Sequence, residues 1–167
     1  MRFLRLLSIL LLLLPLSAMS TDAQKISSLA ANDTASLVKQ RQVLERYLGD
    51  ERSRQNYKTV AGKLGLLRAL LDQKIFKPTQ SYEYGCMGVV LGDAFAQELK
   101  MEWVVVEDAQ GRDLALRLPN TSVLIFPIGM ILKRVMRGEA VDVFDLFNGV
   151  ADQVENLRKK GAERSGR

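Results

Sequence analysis

The sequence predicts one α+β domain over residues 24–157, made of N-terminal helices, a three-stranded antiparallel meander and two C-terminal helices. Apolar residues recur every three or four positions as far as Leu99 and again after Pro127. Between those limits, from Glu102 to Phe126, the spacing shortens to two and Val, Leu and Ile accumulate. One change of period in and one out, with no internal repeat, describes a single sheet flanked by helices.

The first helix is expected to start at a cap provided by Asn32 or Asp33 and to carry Leu37, Leu44, Tyr47 and Leu48 on one face, with Gly49 as its stop. After the polar link Asp50 to Ser53, a second helix is read from Tyr57, Val60, Ala61, Leu64, Leu67, Leu71 and Ile75, running to about Lys74. Gly62 and Gly65 inside it each cost roughly 1 kcal/mol against Ala, so both predict close approach to another element. Lys77-Pro78-Thr79 breaks the pattern, and a third helix follows with Tyr84, Gly88, Leu91, Phe95 and Leu99 on one face. Gly85, Gly88 and Gly92 make its middle small, which suits a tight crossing by a neighbouring backbone.

Three short strands are read at Glu102 to Glu107, Leu114 to Leu118 and Ser122 to Phe126. Asp108-Ala-Gln-Gly111 is the hairpin between the first two, and Pro119-Asn120 makes the next turn. Pro127 is expected at the first position of a helix with Ile128, Ile131, Leu132 and Val135 inward, ended by Gly138. Asp142 then caps the most amphipathic stretch of the chain, Val143, Leu146, Phe147, Val150, Val154 and Leu157.

Both ends read differently from the domain. Arg2 and Arg5 precede an apolar run, Leu6 to Leu14, after which Pro15 and small residues lead to Ala23-Gln24, the layout of a secretory signal peptide. Cleavage fits after Ser20 or after Ala23, so residues 1–23 are expected to be removed and the mature chain to act in the periplasm or outside the cell. No transmembrane segment is expected in that mature chain. Charge explains the other end. The chain carries 24 Lys and Arg against 19 Asp and Glu. Residues 24–157 balance, and the excess lies in Arg158, Lys159, Lys160, Arg164 and Arg167. Residues 158–167 therefore read as a solvated, disordered basic tail.

Residue chemistry narrows function by exclusion. The chain has no histidine, so Ser-His-Asp and Cys-His catalysis cannot arise within it. Its single cysteine, Cys86, forbids an intrachain disulfide and, amid Gly85, Met87, Val89 and Val90, reads as a buried thiol. Basic residues are not interleaved with aromatics as nucleic-acid binding would require. Glu107, Asp108, Arg112 and Asp113 gather at the hairpin, with Asp93 earlier in the chain. Turn support and ion pairing account for them better than calcium, and no metal or other cofactor is expected. Trp103 reads as a plug between sheet and helices, with ligand stacking as the alternative. Lys133 and Arg134 offer an anion site or simply a solvated helix face.

Gly88-Val-Val-Leu-Gly-Asp93, Met101-Glu-Trp103, Val106-Glu-Asp108, Gly111-Arg-Asp113, Thr121 to Pro127, Lys133-Arg134 and Gly138-Glu139 with Asp142 resemble a bacterial family known as domain-of-unknown-function family 3806. The resemblance runs from about Lys74 to Leu157, half of the chain. It implies a bacterial origin, hence an envelope or extracellular setting, and it implies no activity, cofactor or catalytic residue.

Together these readings predict an exported, non-enzymatic interaction or inhibitor-type module whose partner is an envelope protein. Its oligomeric state is left open. The binding candidates are Asp93, Trp103, Glu107, Asp108, Arg112, Asp113, Lys133 and Arg134. The alternative is a carboxylate-dependent hydrolase or lyase acting on envelope polymers, with Glu102, Glu107 or Asp113 as its acids. Strand alternation already sets Glu102 and Glu107 on opposite faces.

Overall fold

A computed structural model describes residues 24–165 of the chain. The expected leader, residues 1–23, lies outside them. Helices α1 (Ala31–Glu45), α2 (Glu51–Tyr57), α3 (Val60–Asp72) and α4 (Ser81–Leu99) follow a first strand, β1 (Lys25–Ser28). Strands β2 (Glu102–Asp108), β3 (Gly111–Arg117) and β4 (Leu124–Ile125) come next, then α5 (Met130–Met136) and α6 (Val143–Ser165). The α+β architecture matches the sequence expectation. The sheet is antiparallel throughout in the order β1-β2-β3-β4, so the expected meander gains a fourth strand at its free edge.

That extra strand is Lys-Ile-Ser-Ser, whose composition shows only one apolar residue. It is a strand because β2 supplies partners for its backbone, with Ile26 opposite Val106 and Ser28 opposite Val104. In β2 and β3 the pairing of Asp108 with Gly111 closes the hairpin over Ala109 and Gln110. Asp108 supports the turn through Oδ1, which accepts the Gln110 N–H at 2.8 Å. Gly111 has φ +137°, open to glycine but strained for other residues.

Several boundaries move for local reasons. The cap of α1 is Ala30, and Asp33 sits inside the first turn, reaching back to accept the Ala30 N–H at 2.9 Å. The single helix expected over 57–74 is two, turned at Lys58-Thr59. Thr59 caps the second by accepting the Gly62 N–H at 3.0 Å. Gly62 is obligatory at that corner, since a Cβ there would stand 1.9 Å from the Asn56 carbonyl oxygen, whereas Gly65 has nothing within 4 Å. Pro127 does not open α5. Its carbonyl accepts the Met130 N–H across a turn, and the helix begins three residues later. At the far end α6 continues through Ser165, so the run expected as a disordered tail carries on as helix. Arg, Lys, Ala and Glu are good helix formers, and no proline stops them.

The core is organised around α4, twelve of whose nineteen residues are buried. Gly92 faces the Trp103 ring, where an added Cβ would lie 2.4 Å from the indole, and this places α4 against the sheet. The Ile128 backbone crosses Gly88 just as closely, since an added Cβ there would stand 2.3 Å from the Ile128 carbonyl oxygen. The glycine stripe therefore serves packing, as its spacing suggests. On the opposite side Phe95 stacks on Phe147 of α6, with ring centroids 4.9 Å apart. Val104, Val106 and Ala115 form a smaller second cluster with Ile26 and Leu124. Cys86 is fully buried, and burial pushes its thiol up, so it lies in the core as a thiol.

Candidate functional site

The strongest chemical arrangement in the described residues lies among α1–α4. Arg41 occupies the apolar stripe of α1, four residues after Leu37 and three before Leu44, both buried. A guanidinium placed there needs an anion, and α4 provides one in Asp93, between Gly92 and Ala94. The pair is bidentate, with Nε donating to Oδ2 at 2.6 Å and Nη2 to Oδ1 at 2.8 Å. Trp103 of β2 donates its indole N–H to the same Oδ1 at 3.1 Å. Asp93 thus ties α1, α4 and the sheet together, and its hydrogen bonds hold Arg41 firmly charged.

Around this pair opens a cleft of about 560 Å³, lined by Arg41, Glu45, Leu48, Arg54, Tyr57, Lys58, Lys63 and Asp93. Leu48 and the Tyr57 ring form its apolar wall. The Lys63 ammonium lies 5.7 Å from the centre of that ring and donates to Gln97 Oε1 at 2.7 Å. Desolvation lowers the pKa of Lys63. The Tyr57 hydroxyl is closed to solvent and has no hydrogen-bond partner among the described residues. Burial, reinforced by Glu45 and Asp93, raises its pKa well above that of an ordinary phenol.

The predicted site residues divide into three places. Asp93 and Trp103 are brought together at the cleft. Glu107 and Arg112 meet at the hairpin, 3.4 Å apart, within a chain of ion pairs that runs from Lys25 through Glu107 and Arg112 to Asp33. That hairpin network does not include Asp93. Asp108 is spent in its turn, and Asp113, opposite Val106, projects from the other sheet face than Glu107. Lys133 is exposed and Arg134 donates to the Met130 carbonyl of its own helix at 2.9 Å, so both stay on the α5 surface. Among the described residues no group of three or more acidic or cysteine side chains is gathered for a metal ion. No helix among them is long and apolar enough to cross a membrane.

Sequence reasoning passed over Arg41, Tyr57 and Lys63. A signal for the first was present, because an arginine in register with Leu37, Leu44 and Leu48 must find a buried acid. Nothing local marked the other two as a site: Lys63 meets the Tyr57 ring across the α2–α3 turn, but the Arg41–Asp93 pair that completes the cleft comes from α1 and α4.

Comparison with known proteins agrees with this picture at the level of fold and family. A crystal structure of a protein from Bacteroides thetaiotaomicron VPI-5482, determined at 1.50 Å, superposes with a TM-score of 0.65 at 14% identity. The match covers 80% of this chain and 49% of that one, so the present chain spans about half the length of its structural neighbour and shares its fold. No curated protein matches the sequence. Residues 63–147 match the family described as domain of unknown function (DUF3806), and the chain belongs to that family.

Proposed function

We propose that this protein is an exported, non-enzymatic recognition module of the bacterial envelope that receives its partner at the α1–α4 cleft. The observation that carries the reading is the clamped Arg41–Asp93–Trp103 network. It spends the only carboxylate on the cleft's α4 wall in holding three elements in place, which leaves a preformed, positively charged opening. Catalysis by paired carboxylates would need one acid whose pKa is raised. Among the described residues the carboxylates displaced from their ordinary range, Asp33, Asp50 and Glu139, are all displaced downward by hydrogen bonds or cations. Glu107 is occupied by Lys25 and Arg112. Export rests on the leader pattern of residues 1–23.

The test is site-specific photocrosslinking in intact cells from Lys58, an exposed position on the cleft rim. The expected result is a discrete adduct with an envelope macromolecule, recovered with leaderless protein after osmotic shock and absent when the crosslinker stands at Lys160. Retention of the whole chain in the cytosol with its leader intact would overturn the proposal. So would turnover of peptidoglycan by the purified protein that Glu107→Gln abolishes.

A further inference from the structure

We infer that the cleft binds an oxyanion, a carboxylate or phosphate carried on an apolar body, through Arg41, Arg54, Lys63 and the Tyr57 hydroxyl. This deepens the preceding proposal and rests on the cleft being the recognition site. Charge is the first argument. Four cations, Arg41, Arg54, Lys58 and Lys63, face two carboxylates, and Asp93 is already neutralised by Arg41, so Glu45 alone stands against the other three.

Unused donors are the second argument. Arg41 spends Nε and Nη2 on Asp93, and its Nη1 makes no hydrogen bond among the described residues. Arg54 projects from α2 with no ion-pair partner there, and Lys63 uses two of its three protons, on Gln97 and on the Lys58 carbonyl at 3.3 Å. Tyr57 adds a buried hydroxyl with nothing to bond, a state that an incoming oxygen atom would relieve. Leu48 and the phenol ring supply the wall for the apolar body.

Glu45 sets the direction of the test. It is exposed, lies close enough to Tyr57 to influence its ionisation, and would repel an anion entering beside it. Neutralising Glu45 should therefore strengthen binding, a result no purely structural role for the cleft would produce.

The experiment titrates the purified protein with benzoate, phenyl phosphate and the neutral analogue benzamide, followed by calorimetry. At least one anion should bind roughly tenfold more tightly than benzamide, about what one charge-assisted hydrogen bond confers. Tyr57→Phe and Arg54→Ala should each weaken it by a similar factor without lowering the melting temperature, since the lost phenol hydroxyl had no partner among the described residues of the free protein, and Glu45→Gln should tighten it. Preference for benzoate assigns a carboxylate ligand, and preference for phenyl phosphate assigns a phosphate. Equal affinity for all three probes, no binding at millimolar concentration, or anion binding untouched by Tyr57→Phe and Arg54→Ala would overturn the inference. If the Lys58 adduct forms in cells while the probes show no preference for charge, this inference fails alone. If the adduct is absent as well, the reading beneath it fails too.

Discussion

Asp33 shows how one side chain can join local and distant structure. Its carboxylate accepts the Ala30 N–H within the first turn of α1 and, at 2.7 Å, the Arg112 guanidinium of β3, seventy-nine residues away. The Arg112 hydrogen bond, then the Ala30 N–H, hold its pKa below the usual carboxylate range against a smaller upward push from burial. A folded pKa lower than the unfolded one means the folded state binds its proton less readily. The stability Asp33 contributes is therefore fully present above the ordinary carboxylate pKa and is lost as pH falls through the depressed folded value. Asp33→Asn should lower stability near neutral pH, and its denaturant midpoint should decline less than that of the parent below about pH 4. Parallel midpoint-against-pH curves for the two proteins would refute this. Asp93 also joins distant elements, with Nε and Nη2 of Arg41 and the Trp103 indole N–H all donating to its carboxylate.

At the scale of the element, α4 depends on what it lacks. Gly88 and Gly92 are helical positions where glycine costs about 1 kcal/mol against alanine in propensity, yet they let Ile128 and Trp103 come within reach of the helix backbone. An alanine at Gly88 would press against the Ile128 carbonyl and Cα, backbone atoms that can move only if the turn before α5 moves with them. Gly88→Ala should cost about 3 kcal/mol, at the upper end for overpacking. Gly65→Ala in α3 should do the opposite. With nothing within 4 Å, it gains helix propensity and should stabilise the protein by up to about 1 kcal/mol. Chemical denaturation of the two variants settles both signs, and equal midpoints would show that the glycines are interchangeable. The far end of α4 is held by packing of another kind. Arg158 of α6 donates to the Leu99 carbonyl at 2.6 Å and so completes a helix terminus. This makes the start of the basic segment structural.

Across the whole molecule, the switch from helix to strand after Leu99 was legible because the helical spacing of apolar residues gives way to short runs rich in Val and Leu bounded by turn residues. What failed to show depended on partners far away in sequence. The cleft needs four helices at once, so Asp93 and Trp103 could be named from their own surroundings while Tyr57 and Lys63 could not; the break between α2 and α3, where the Asn56 carbonyl faces Gly62, is the local exception. β1 is the clearest case. Its four residues have no alternation to detect, and they form a strand only because β2 presents an unpaired edge of Val104, Val105 and Val106. An uncovered edge so rich in valine is a template for pairing between molecules. β1 therefore closes the sheet as well as adding to the second cluster through Ile26. A chain lacking Lys25–Ser28 should lose roughly 2 kcal/mol through that cluster and the Lys25–Glu107 pair, and it should self-associate in a concentration-dependent way. Sedimentation of the truncated and intact chains over a range of concentrations is the measurement. A truncated chain that stays monomeric and equally stable would show that the β2 edge needs no cover. Association by the truncated chain alone would show that these four residues keep the sheets of different molecules apart.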